Sequence, residues 1–177
     1  MKRLTPNGLR WLKGFHLLTV CCWIGGALSL ICLYFLKEGV ADSGELYGIN
    51  RSIHHVDMNI VVLPGAVGSL LTGLCYSLFS HWGFFKHRWI TVKWIATVTA
   101  IIFGTFWLGP WETAMMEISG KLGIASLHDA TYLYSQRMNL SFGSLQVATL
   151  AVLVFISILK PWKKGSPNQA GPGGKKA

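Results

Sequence analysis

From residue 17 to residue 36 the chain runs for 20 residues without a formal charge. An α-helix rises about 1.5 Å per residue, so this run spans roughly 30 Å, the thickness of a bilayer's hydrocarbon core. His16 sits at its mouth, and a glycine pair, Gly25 and Gly26, lies further along it. Charged residues make up 13% of the 177-residue chain and hydrophobic ones 51%. A soluble domain would carry about a quarter charged residues. The balance is that of an integral membrane protein, and the length suits one domain. The first run is too long and too rich in tryptophan for a cleaved signal peptide, and no small-residue cleavage site follows it. It is expected to be retained.

Four spans are expected, at about 9–36, 56–80, 89–111 and 139–159, giving an all-α antiparallel four-helix transmembrane bundle over residues 1–164. Residues 39–52 read as a short loop and 81–88 as a tight basic one. The less apolar stretch 112–137 reads as short interfacial helices, and the Gly/Pro/Lys-rich residues 165–177 as a disordered tail. In the second span Pro64 predicts a kink. Gly65, Ser69 and Gly73, at spacing four, predict close approach of another helix backbone. No sequence repeat links the two halves, so an inverted-repeat transporter is not supported.

The formal charge of +9 does not indicate a nucleic-acid partner, because the cations lie in short clusters flanking the apolar runs. Twelve of the 16 fall on the side shared by the two termini, and Lys37, Arg51, Lys121 and Arg137 fall on the other. That bias places both termini in the cytoplasm, in a multi-pass protein expected in a bacterial inner membrane. The lipid bilayer is its first partner. All four cysteines, Cys21, Cys22, Cys32 and Cys75, lie in apolar runs without a CxxC and read as packing residues. There is no phosphate-binding glycine loop, no serine or cysteine nucleophile with a base, and no zinc-ligand spacing.

Two constellations carry chemistry. On the first helix His16, Thr19, Trp23 and Gly26 share a face by the three-and-four spacing, and on the third Trp89, Lys93, Thr97 and Gly104 do so. Both helices start from the same side, so His16 and Lys93 fall at similar depth. A histidine facing a bundle interior is a usual way to hold a haem iron, and Gly26 leaves room for something flat. Spacing alone leaves two other roles open: an interfacial hydrogen bond for His16, and snorkelling of Lys93 to anionic headgroups. The second constellation lies on the opposite side. There His54, His55, Asp57, Met58 and His128, with Glu112, Met115, Met116, Glu117 and Asp129, suit a second haem, copper or another metal, or else a solvated cap.

The pattern Lys13-x-x-His16 followed by Trp23-x-Gly25-Gly26 resembles the first helix of a group of small membrane proteins. That group includes the HemJ-type protoporphyrinogen oxidases and the CopD-type copper-resistance membrane proteins. Pro64, then Leu71-Thr72-Gly73, then Trp89-x-x-x-Lys93 resembles the HemJ type in particular. The resemblance covers helices one to three. It implies haem b ligated by His16, with Lys93 also required. From the shared helix faces Trp23, Gly26 and Trp89 are expected around the cofactor. The chain departs from the HemJ pattern at 29–38, where a Leu-Pro-Arg-rich motif is replaced by an apolar run ending in Lys37-Glu38. The expected function is a haem-b membrane redox protein that transfers electrons or oxidises a porphyrin- or quinone-like substrate, with Lys93 the catalytic candidate. The alternatives are CopD-like metal handling at the outer cluster and a non-catalytic subunit, and a homo-oligomer is open in each case.

Overall fold

The computed structural model describes residues 4–79 and 88–159. These residues form four helical units and no strand. The first unit is α1 (Pro6–Phe35). The second joins α2 (Ser43–Val56) through a π-helical segment, Asp57–Val67, to α3 (Gly68–Phe79). The third joins α4 (Arg88–Phe103) through a shorter π segment, Gly104–Leu108, to α5 (Gly109–Leu122) and a 3-10 turn, Gly123–His128. The fourth is α6 (Ala130–Leu159). Each unit is long and apolar enough to cross a membrane. The chain is an all-α, multi-pass four-helix bundle. The tail at 165–177 and most of the basic loop expected at 81–88 lie outside the described residues.

The spans begin where side chains cap them. Thr5 Oγ1 accepts from Gly8 N at 3.2 Å, and Pro6 stands at the first helical position, where its missing N–H leaves no partner wanting. Asp42 accepts from the Glu45 amide at 2.8 Å, with Glu45 itself three residues on, as in a capping box. Asp129 accepts from the Tyr132 amide at 2.8 Å. These last two caps correct the sequence reading. The second helix starts at Ser43 rather than near His54, so most of the expected loop at 39–52 is helix. The fourth starts at Ala130 rather than near Asn139, and the stretch 112–137 holds most of α5, the 3-10 turn and the start of α6 rather than separate interfacial helices.

Units of 37 and 41 residues correspond to roughly 55 and 60 Å of helix, well beyond the hydrocarbon core. The bundle therefore continues past the membrane at the end away from the termini, called here the far end. Leu4 marks the termini end, where its amide reaches the Phe79 carbonyl at 3.4 Å. At the far end α2, α5 and the start of α6 bury Leu46, Ile53, Met115 and Tyr132 almost completely.

Within the membrane α1 packs on the second unit through small residues. A Cβ on Gly65 would stand 2.8 Å from Trp23 Cα, and one on Gly68 would stand 2.8 Å from Thr19 Cγ2. The two backbones are thus in direct contact, as small residues permit in lipid. Ser69 Oγ adds a hydrogen bond to Thr19 Oγ1 at 3.1 Å. Pro64 falls inside the first π segment. A proline without an N–H leaves a carbonyl one turn back unpaired, and the wider turn is a known way to re-pair a helix around such a residue.

Candidate functional site

Near the termini end the four units do not close on one another. They leave a cavity of about 390 Å³, lined by α1, α3, α4 and α6. This falls within the usual range for small-molecule and cofactor sites. His16, Trp23, Trp89 and Lys93 all line it, so the structure brings the two sequence-matched helix faces to one space.

His16 is held in a defined way. Its Nδ1 lies 2.8 Å from Thr72 Oγ1, and that hydroxyl lies 2.6 Å from the Gly68 carbonyl. The hydroxyl has one proton, which the carbonyl takes. Its oxygen therefore accepts from His16, which places the ring proton on Nδ1 and leaves the Nε2 lone pair unprotonated. A histidine that ligates a metal typically donates its second ring N–H in this manner. Gly73 keeps the ring's flank open, since a Cβ there would lie 3.8 Å from His16 Cε1. The Lys93 ammonium stands 5.9 Å from the Trp89 ring centre, with no carboxylate at ion-pair distance among the described residues. Trp23 is 3% exposed, and its indole Nε1 has no acceptor among the described residues. Among the described residues the imidazole Nε2 has no partner, the ammonium no counter-charge and the indole N–H no acceptor, a set that a haem with carboxylate side groups would fit.

Gly26 requires a correction. It shares the His16 face of α1, but it is not at the cavity. A Cβ there would meet Val61 Cγ2 at 2.8 Å and Ile60 Cγ2 at 3.1 Å, so its missing side chain admits the second helix rather than a flat ligand.

The outer residues divide differently from the expectation. His55 is exposed and accepts from Arg51 Nε at 3.4 Å, and the His54 and His55 rings are 6.2 Å apart. Met58 is 43% exposed, and His128 ends the 3-10 turn, also exposed. Among the described residues no three histidine, cysteine, aspartate or glutamate side chains gather as metal ligands. Asp57 turns inward instead, to within hydrogen-bonding reach of Glu112. Around them Asn139 Nδ2 donates to Glu112 Oε1 at 3.3 Å and to the Leu108 carbonyl at 3.0 Å. The Tyr34 hydroxyl donates to Asn139 Oδ1 at 2.9 Å.

Lys37, read from the sequence as a helix stop, folds into this network. Its ammonium lies 4.3 Å from the Tyr34 ring centre and 3.8 Å from Met115 Sδ, and only 6% of the residue is exposed. Burial pushes this ammonium down to about 7, against an upward pull from the Glu112 carboxylate. The sequence held one signal for the inward turn of Asp57. Leu46, Asn50 and Ile53 are the buried stripe of α2, and Asp57 continues their four-three-four spacing, while His54 and His55 flank it. Comparison with family models, with curated proteins and with solved structures finds no match to this chain.

Proposed function

We propose that this chain is a haem-b-binding integral membrane protein in redox chemistry, in which His16 Nε2 would hold the haem iron. The observation that carries the reading is the Thr72 hydroxyl, which leaves Nε2 free at the wall of a cavity shared by all four spans. Bound haem would supply a one-electron couple tuned by its axial ligands and by the polarity around it. The chain's own residues do the rest. Thr72 orients the imidazole and fixes its tautomer. Lys93 neutralises a propionate or a substrate carboxylate, and Trp23 and Trp89 wall the site against lipid. With the cation bias read as positive-inside, the cavity lies in the cytoplasmic leaflet of a bacterial inner membrane, a depth suited to electron exchange with a quinone or to oxidation of a porphyrin-like substrate.

Optical spectra of the detergent-purified protein, air-oxidised and then dithionite-reduced, test this directly. The expected result is a Soret band with split visible bands on reduction, absent in His16→Ala. Thr72→Val should keep the band but weaken haem retention roughly tenfold to a hundredfold, the usual effect of removing a histidine's second hydrogen bond. Protein expressed with ample haem that shows tryptophan absorbance alone would refute the proposal.

A further inference from the structure

At the far end two buried side-chain oxygens, Glu112 Oε2 and Gln136 Oε1, have no hydrogen-bond donor among the described residues, and only the first belongs to an ionisable group. Glu112 is 3% exposed, and its Oε2 has no hydrogen-bond donor among the described residues. The amide and hydroxyl donors nearby are already engaged, and the Lys37 ammonium makes no ion pair with Glu112 among the described residues. Asn139 Nδ2 serves Oε1 and the Leu108 carbonyl, and the Tyr34 hydroxyl serves Asn139 Oδ1. What lies within hydrogen-bonding reach of Glu112 is a second carboxyl group, that of Asp57. Two carboxylates have only acceptors, so they repel and cannot bond. A carboxylic acid and a carboxylate can, through one O–H donor. A buried acceptor without a donor is expensive, and a buried like-charge pair more so.

We propose that Asp57 and Glu112 form a proton-binding site at the far end of the bundle, in which the two side chains share one proton taken from the medium. The placement suits it. Asp57 opens the first π segment, and the Leu108 carbonyl held by Asn139 closes the second, so both irregular stretches of backbone meet the pair. Such segments are frequent at functional sites. Asp57 is half-buried where Glu112 is enclosed, so exchange with the medium runs through Asp57. The other titratable groups bearing on the pair are Tyr34 near the end of α1 and Lys37 just beyond it, and Tyr132 on α6 bears on Tyr34 in turn. When Lys37 is charged, an acid–carboxylate pair leaves the cluster without net charge. The site stands apart from the cavity and does not depend on haem binding there.

Infrared spectra of the full-length protein in lipid nanodiscs at neutral pH test the assignment. We expect a carboxylic-acid C=O stretching band in the wild type that shifts in deuterium oxide and is lost in both Glu112→Gln and Asp57→Asn. The glutamine amide can donate to Asp57 as the acid O–H does, so Glu112→Gln should fold, and either variant alone suffices. A wild-type spectrum without such a band overturns the proposal. So does a band that survives in the variants, because another carboxyl then holds the proton. A band present in potassium buffer and abolished by sodium would show a metal cation at the pair instead, and would overturn it equally.

Discussion

The two ends of the bundle treat polar groups in opposite ways. At the far end side chains consume one another's hydrogen-bonding capacity. Asn50 Nδ2 donates to Ser119 Oγ at 3.0 Å and lies 3.1 Å from the Tyr132 hydroxyl, and all three residues are nearly inaccessible. At the termini end the cavity leaves capacity unused among the described residues, at His16 Nε2, Trp23 Nε1 and the Lys93 ammonium. The first pattern is how a buried polar network stabilises a fold, since each group finds a partner within the chain. The second is the pattern that the proposed cofactor site would require. Glu112 Oε2 and Gln136 Oε1 break the first pattern among the described residues, and Glu112, as the ionisable one, is the more informative.

The comparison is sharpest along a single helix, between Gly65 and Gly73. Gly65→Leu drives a side chain into the Trp23 backbone, where no flexible group can yield. It should cost about 3 kcal/mol or more, the upper end for overpacking, read as loss of thermal stability in detergent. Gly73→Ala meets a single ring carbon at van der Waals distance and should be close to neutral. Equal effects at the two positions would mean that the helices are not closed at one and open at the other.

A second test asks whether the far end tolerates its buried cation only by pressing out the proton. Lys37 falls from 10.5 to about 7 on folding. Between those values the unfolded chain holds a proton that the folded chain has shed, so stability should rise with pH across that window. The slope is about 1.4 kcal/mol per pH unit if Lys37 acts alone. Lys37→Met, which retains the contacts of the side-chain stem, should flatten the slope and raise stability at and below neutral pH. A difference between the two proteins that does not change with pH would show that Tyr34 and Met115 compensate the charge fully.

What was legible in the sequence follows from the length scale of each signal. The apolar runs that make the spans are long and locally encoded, and the four-helix bundle follows from them. The match of His16 with Lys93 was legible because two helices entering from one side must carry residues to similar depth. Gly26 was misread because helix spacing gives a face and not the neighbour on that face, and the neighbour is Val61. Lys37 was beyond reach, since only Tyr34 is a local neighbour, while Tyr132 and Met115 come from distant segments and meet it only when α5 and α6 are in place. The outer helix starts were not beyond reach. Asp42 with Glu45, and Asp129 before Ala-Thr-Tyr132, are capping signals, but polar residues after an uncharged run invite a reading as loop.

Those caps give the most local of the expected effects. Asp129 accepts the Tyr132 amide at the start of α6, and Tyr132 is fully buried against the far-end network. Asp129→Ala should cost about 1 kcal/mol, the usual value for a lost N-cap. The loss should appear as faster hydrogen exchange in the first turn of α6, with the amides around His16 unchanged. Asp129→Asn should restore most of the protection, because the amide oxygen caps as well as the carboxylate. If the exchange rates at the cavity rise together with those of the first turn, the two ends unfold as one unit, and the division between a closed far end and an open termini end is structural but not energetic.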